Sequence, residues 1–199
     1  MRVIFITVII CFASLSVFGQ SAPEGLFIGS KASDFKGKDQ NDNEIRLKDL
    51  LKKGDVVLVF YRGYWCPFCN KELSRLQDSL KLITDKGATL IAITPEKPAS
   101  VEKTIEKTKA SFSIIYDEDM KIMKAYDVAF EVPQNTVTRY RNVGLDLADI
   151  NGKNGNNLPV PAVYIIGSEQ TVTYRFFDPD YKKRPSVKEI ATNLSVKEK

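Results

Sequence analysis

The strongest constraint on the fold lies at residues 56–69, where a strand pattern leads directly into a helical one through two cysteines. Residues 56–61 (VVLVFY) form a continuous β-branched and aromatic run, which is typical of a strand buried on both faces of a sheet. After Pro67 the apolar residues recur at helical spacing, at Leu73, Leu76, Leu80 and Ile83. The chain therefore places Cys66 and Cys69 where a buried strand ends and an amphipathic helix begins.

Strand and helix patterns alternate through much of the remaining chain. The other predicted strands are 88–94, 112–116, 161–167 and 171–177, and the predicted helices are 67–87, 100–110, 120–126 and 186–194. Alternation of this kind predicts parallel strands joined by right-handed crossovers, while the short link 168–170 predicts an antiparallel hairpin. The turn-rich stretch 131–158 predicts a long surface excursion.

Composition restricts the chemistry to the two neighbouring cysteines. The chain has 199 residues, three cysteines and no histidine. A structural zinc site normally needs four Cys or His ligands, and attachment of c-type haem needs a histidine where this chain has Asn70. Hydrolases with a Ser/His/Asp or Cys/His arrangement also need an imidazole base. We therefore expect thiol chemistry without a metal or organic cofactor.

The third cysteine, Cys11, lies in a segment that has the features of a secretory leader. Met1-Arg2 precedes an apolar run, and Val17-Phe18-Gly19 presents small or short residues where a signal peptidase cleaves. We predict a signal peptide at 1–19, a single domain at 20–199, and a periplasmic or secreted protein with no stable membrane span. The modest net charge of +4 is interspersed along the chain, which favours neither nucleic acid nor a membrane surface as the main partner.

Three segments of the mature chain form a recognisable set, FYRGYWCPFC at 60–69, LPVPA at 158–162 and FDPDY at 177–181. In these segments the chain resembles the peroxiredoxin-like (AhpC/TSA, redoxin) branch of the thioredoxin-fold proteins. The resemblance implies an α/β fold of the thioredoxin-like type, with a central mixed sheet flanked by helices, an N-terminal extension, and a C-terminal antiparallel hairpin plus helix.

Helix geometry makes Cys66 the expected nucleophile and Cys69 the resolving thiol. A cysteine at a helix N-cap faces unpaired backbone N–H groups and the positive end of the helix dipole, so its thiolate is favoured. Pro67 suits the first helical position. Cys69, one turn further along, is placed to attack a mixed disulfide formed by Cys66. Trp65 is expected to shield one flank of the pair.

The resemblance also implies residues that contact the substrate. In thioredoxin-like folds a cis proline precedes the late strand and exposes the backbone before it, which nominates Pro161 and Val160, with Pro159 as a rival. The arginine that peroxiredoxins place before this strand has no match; Arg62 is the first substitute and Arg175 a more distant one. Thioredoxins carry a buried acid six residues before the first cysteine, where this chain has Phe60, so no base is assigned.

Two registers of the resemblance give two enzymatic functions. The thioredoxin register predicts an exported thiol–disulfide oxidoreductase that acts on a protein disulfide. The peroxiredoxin motif Pro-x-x-x-Thr/Ser-x-x-Cys instead ends at Cys69, with Cys66 in the hydroxyl position and Arg62 in the proline position, and predicts reduction of hydroperoxides. Either enzyme needs a thiol electron donor, which the sequence does not identify. The alternative from another class is a redox-inert binding module with a structural disulfide. The run 182–184 is expected to be a solvated surface segment.

Overall fold

The computed structural model describes residues 22–195, so the predicted leader at 1–19 lies outside the described residues. The strands are β1 (Lys36–Lys38), β2 (Glu44–Arg46), β3 (Val56–Phe60), β4 (Thr89–Thr94), β5 (Ser113–Tyr116), β6 (Ala129–Glu131), β7 (Asn157–Pro159), β8 (Ala162–Ile166) and β9 (Val172–Phe177). The α-helices are α1 (Leu47–Leu51), α2 (Pro67–Asp78), α3 (Lys81–Thr84), α4 (Pro98–Thr108), α5 (Lys121–Ala125), α6 (Gln134–Asn142), α7 (Leu147–Asn151) and α8 (Val187–Thr192).

The centre of the molecule is a mixed sheet with the strand order β5-β4-β3-β8-β9. β3 pairs in parallel with β4, and β4 in parallel with β5, as the strand–helix alternation predicts. On its other side β3 pairs antiparallel with β8, which continues into the predicted hairpin with β9. Every residue of β3 and β8 is buried. The predicted thioredoxin-like α/β fold is therefore confirmed.

Helices cover both faces of this sheet because side chains on each strand alternate between the two faces. One face carries Val57 and Val59 and packs against Leu73 and Leu76 of α2. The opposite face packs against α1 and α5. Fully burying an aliphatic side chain contributes roughly 1.5–3 kcal/mol, so α2 is held firmly on the sheet and fixes the position of its N-terminus. Within residues 22–195, no helix is long and apolar enough to cross a membrane.

The single helix predicted for 67–87 is wrong, because the segment forms two helices, α2 and α3. Ser79 leaves the helical conformation, with φ −113° and ψ 20°. Serine competes for backbone hydrogen bonds and so tolerates a break of this kind. The apolar periodicity survives the break, since Ile83 of α3 remains in the same core as α2.

The stretch 131–158 is more ordered than its turn residues predict. It contains α6 and α7, and its ends pair as the antiparallel strands β6 and β7. A small apolar core holds it together, formed by Val132, Val137, Leu147 and Leu158. The buried Asn154 donates from its side-chain amide to the carbonyls of Pro95 and Asp117, so an apparent turn residue anchors the excursion to the main sheet.

Candidate active site

The cysteine pair begins α2, as the sequence predicts. Cys66 is the N-cap, with an extended backbone (φ −88°, ψ 108°), and Pro67 is the first helical residue. The Cys69 backbone N–H points at the Cys66 sulfur over a donor–sulfur distance of 3.4 Å. The sulfur thus takes the place that a serine or aspartate oxygen occupies in an ordinary helix cap.

The two sulfurs are 2.6 Å apart, and both cysteines are free thiols. Cys66 is 1% exposed and Cys69 is 0% exposed. The pair is therefore close enough to close into a disulfide with little movement, while a substrate has to displace covering side chains to reach it.

The surroundings separate the acidities of the two thiols. Hydrogen bonding from the Cys69 thiol, helped by the Cys69 backbone N–H and by the charges of Arg62 and Arg184, lowers the pKa of Cys66 to about 7 against the cost of burial. Burial raises the pKa of Cys69 well above its usual value. Near neutral pH, Cys66 is therefore the more readily ionised of the two thiols.

A buried ion pair lies beside Cys69, and the sequence did not predict it. Glu72 follows Cys69 by one helical turn and is 5% exposed. Its Oε2 lies 2.5 Å from Arg184 Nε, and Arg184 Nη2 lies 3.5 Å from the Cys69 sulfur. Burial raises the pKa of Glu72 to about 8, with Arg184 opposing the shift. Arg184 thus points inward, and the expectation of a solvated run at 182–184 is wrong for this residue.

A second buried carboxyl, Glu96, follows the end of β4. It accepts hydrogen bonds from the Tyr64 backbone N–H at 2.8 Å and from the Thr104 hydroxyl at 3.2 Å. Burial raises its pKa to about 8. Gly63 makes room for it, since a Cβ there would lie 2.6 Å from Glu96 Oε1 and the backbone has φ +150°. Two buried carboxyls, Glu72 and Glu96, therefore lie in this region although the Phe60 position carries no acid.

Arg62 lies between the cysteines and the neighbouring groove. Its guanidinium stacks 4.7 Å from the Trp65 ring centre and 4.3 Å from that of Tyr181, and its Nη2 donates to the Tyr140 hydroxyl at 2.7 Å. Arg62 is 5% exposed, and its Nε has no hydrogen-bond partner. This cation is held rigidly by aromatic side chains and keeps one donor free.

A groove of about 810 Å³ opens beside Arg62. It brings together the predicted substrate-binding residues Arg62, Val160 and Pro161, and the rival Pro159, while Trp65 and Pro67 lie outside its lining. Most of its remaining lining is apolar and comes from β6, β7 and α6, together with Pro179 and Tyr181, while Lys124, Asp127 and Glu131 add charged groups. The excursion at 131–158 therefore forms one side of this groove, whose lining includes neither Cys66 nor Cys69.

The predicted cis bond before Pro161 and the predicted pairing of the Val160 backbone with a substrate are both wrong. The Val160–Pro161 bond is trans, since residues 22–195 contain no cis peptide bond. Val160 is buried and its N–H donates to the Val128 carbonyl at 2.7 Å, so local pairing occupies the backbone donor that a substrate was expected to use. Trans is also the lower-energy isomer of most X–Pro bonds.

Arg175 is a poor substitute for the missing arginine, because it stacks on Phe27 and Phe177.

A mixed sheet of this order, with a Cys-x-x-Cys pair at the start of the helix that follows its central strand, defines a thioredoxin-fold redox protein. The family model described as "AhpC/TSA family" matches residues 28–175. The chain belongs to this family of thiol-based oxidoreductases.

Relatives and solved structures agree with that assignment. The chain is 30% identical over 125 residues to thiol-disulfide oxidoreductase ResA of Bacillus subtilis (strain 168), covering 61% of this chain and 69% of that relative. It is 30% identical over 101 residues to peroxiredoxin Bcp of the same strain, covering 51% and 64%. The crystal structure of peroxidoxin BcpB from Mycobacterium tuberculosis shares the fold with a TM-score of 0.60 at 20% identity, covering 75% of this chain and 84% of that one.

Proposed function

We propose that this protein is an exported thiol–disulfide oxidoreductase in which Cys66 attacks the substrate and Cys69 resolves the mixed disulfide. The observation that carries the proposal is the position of the Cys66 sulfur at the α2 N-cap, where it accepts the Cys69 N–H and has a pKa of about 7. A thiol with a pKa near ambient pH combines a large thiolate fraction with good nucleophilicity.

The reaction proceeds in two exchanges. The Cys66 thiolate attacks one sulfur of the substrate disulfide, which forms a mixed disulfide and releases the other sulfur as a thiolate. Cys69 then loses its proton and attacks the Cys66 sulfur, so the second substrate thiolate leaves and the Cys66–Cys69 disulfide forms. A thiol donor has to return two electrons before the next cycle.

Glu72 is placed to take the Cys69 proton. Residues three apart on a helix share a face, and Glu72 Oε1 is buried without a hydrogen-bond partner. With a pKa of about 8, this carboxyl exchanges a proton near neutral pH. Glu96 is a second carboxyl in the same buried region, and its two oxygens are already engaged by Tyr64 and Thr104.

Substrate access is assigned to the groove beside Arg62. Its largely apolar walls suit the body of a polypeptide or another disulfide, and the Arg62 guanidinium contributes a cation to the lining. Val160 and Pro161 line the same groove, Trp65 covers the pair through its stacking on Arg62, and the exposed Pro67 adjoins Cys66.

A second function, reduction of hydroperoxides by Cys69, draws support from Arg184. A cation 3.5 Å from the Cys69 sulfur would stabilise a thiolate there, and the relative Bcp is a peroxiredoxin. The N-cap position of Cys66 and the raised pKa of Cys69 favour the first function. The similarity to thiol oxidoreductases gives no support to a redox-inert module.

Two variants separate the functions. We expect Cys66→Ser to abolish reduction of insulin disulfides, and neither Cys66→Ser nor Cys69→Ser to consume a hydroperoxide rapidly in a single turnover. Rapid peroxide consumption by Cys66→Ser, with formation of a sulfenic acid at Cys69, would overturn the proposal in favour of the second function.

Export is supported by the leader pattern at 1–19. In a secreting bacterial host, we expect the full chain to yield a mature protein that begins at Gln20, as determined by N-terminal sequencing. Recovery of unprocessed protein from the cytoplasm would contradict export and leave the thiol chemistry unaffected.

A further inference from the structure

Arg184 reaches the cysteine pair from a segment more than a hundred residues away. Its side chain is 8% exposed. Its Nη1 donates to the carbonyls of Tyr181 and Lys183, each at 2.6 Å, while Nε and Nη2 face Glu72 and the Cys69 sulfur. Contacts with both its own segment and α2 therefore fix the guanidinium in one orientation.

The segment that carries Arg184 is itself anchored on the site. The Tyr181 ring lies 4.3 Å from the Arg62 guanidinium carbon and 5.8 Å from the Phe68 ring centre. Beyond the segment, the Ser186 hydroxyl caps α8 by accepting the Glu189 N–H. The backbone around Arg184 is thus held from both sides, and the cation remains beside Cys69 through such contacts.

Proton transfer from Cys69 to Glu72 leaves the net charge of this buried cluster unchanged. Before transfer the charges are a neutral thiol, a carboxylate and the guanidinium; afterwards they are a thiolate, a neutral carboxyl and the guanidinium. An isolated charge in a buried site is costly, and a cation in contact with both groups offsets that cost in each arrangement. Arg184 contacts Glu72 through Nε and the Cys69 sulfur through Nη2, so it can offset the negative charge before and after the transfer.

We propose that Arg184 is a catalytic residue of the resolving step, whose guanidinium stabilises the negative charge as it moves from Glu72 to the Cys69 sulfur. This inference rests on the proposed roles of Cys66 and Cys69. It assigns no contact with the substrate to Arg184, so loss of the guanidinium should slow the second exchange more than the first.

The two exchanges can be measured separately with the aromatic disulfide DTNB. Attack by the Cys66 thiolate releases one thionitrobenzoate and leaves the other joined to Cys66. Attack by the Cys69 thiolate on Cys66 releases the second, so two protein thiols are oxidised to a disulfide for each DTNB reduced to two thionitrobenzoates. Stopped-flow absorbance gives the two rates, and Cys69→Ser should release only the first.

In Arg184→Gln we expect the ratio of the second rate to the first to fall about tenfold, the loss expected for a hydrogen bond to a charged group. Arg184→Lys should recover part of the ratio, because it keeps the charge without the planar fork. The pH at which the second rate is half-maximal should move upward in Arg184→Gln. Lys183→Gln, which changes an exposed neighbour paired with Asp178, is the matched control and should behave as wild type.

An unchanged ratio in folded Arg184→Gln would overturn the inference. If that variant does not fold, Glu72→Gln is compared with the double variant Glu72→Gln/Arg184→Gln, which removes both charges of the buried pair. We expect a lower ratio of the second rate to the first in the double variant. Equal ratios in the two variants would overturn the role of Arg184. A wild-type protein that releases no rapid first thionitrobenzoate would instead contradict the proposed function itself.

Discussion

The two ends of the Cys-x-x-Cys pair are chemically alike and lie one helical turn apart, yet their surroundings are opposite. At the Cys66 end the sulfur caps a helix and accepts hydrogen bonds from Cys69. At the Cys69 end the sulfur is sealed in the core beside the Glu72–Arg184 ion pair. The helix N-terminus stabilises a thiolate at Cys66 before any substrate binds. At Cys69, beside the ion pair, a thiolate forms only when the thiol transfers its proton to a neighbouring group.

This difference bears on the choice between the two registers that the sequence left open. Sequence motifs can be aligned so that either cysteine is the nucleophile, because residue spacing does not show the surroundings of each sulfur. The structure favours Cys66 as the attacking sulfur, since its pKa falls while that of Cys69 rises.

The largest effect is expected from removal of the attacking sulfur. Cys66→Ser should lower insulin-disulfide reduction by about 10³-fold or more, as loss of a catalytic nucleophile does. Cys69→Ser should still attack and should accumulate a mixed disulfide, detected by intact mass under non-reducing conditions. Accumulation in Cys66→Ser instead would reverse the roles of the two ends.

Glu72→Gln should slow the second thionitrobenzoate release by about 10²-fold, the lower range for loss of a general base. In wild type that rate should rise with pH through about 8, because only the ionised carboxyl accepts a proton. Glu96→Gln is the matched control, since the oxygens of that carboxyl are already engaged. Equal slowing by both variants would mean that burial of a carboxyl alone, and not its place beside Cys69, matters.

Replacement of Glu96 is instead expected to change the free energy of unfolding. Its folded pKa of about 8 exceeds its ordinary value of 4.5, so its favourable contribution is complete below about pH 4.5 and is lost as the pH rises through 8. Relative to wild type, Glu96→Gln should gain about 2–4 kcal/mol in free energy of unfolding between about pH 5 and pH 9. Urea denaturation at both pH values measures it, and a difference independent of pH would contradict burial of a neutral carboxyl.

The smallest effect is expected at Arg62, which stacks on two aromatic rings. Arg62→Gln should destabilise the fold by about 2 kcal/mol, in keeping with cation–π contacts at a buried site. The fluorescence of Trp65, the single tryptophan of the chain, should change with it. Arg62→Lys is the control that keeps the charge. A variant with unaltered fluorescence would show that the stacking does not persist in solution.

The parts of the molecule that follow local rules were predictable. The buried run of β3, the N-cap position of Cys66 and the helical face of α2 are all written in residues close together in sequence. Glu72 could have been found in the same way, since it lies three residues after Cys69 on one helical face. The burial of its carboxyl could not have been predicted, because no local sequence pattern marks it.

The parts that depend on distant packing were not predictable. Arg184 sits in a Lys-Lys-Arg run that has every feature of a solvated segment, and only the tertiary fold turns it onto Glu72. Glu96 reaches the site because β4 lies beside β3 and Gly63 leaves room for its carboxyl. The Val160 N–H pairs with the Val128 carbonyl, a contact that no local pattern contains.

The surroundings of the motif lower the pKa of Cys66 and raise that of Cys69. Alkylation of the reduced protein with iodoacetamide across a pH series, with each cysteine quantified by peptide mass spectrometry, measures both thiols in the same sample. Cys66 should be modified with a midpoint near pH 7, while Cys69 stays unmodified until the pH is far above the usual thiol range. Modification of Cys69 at a lower pH than Cys66 would contradict the account.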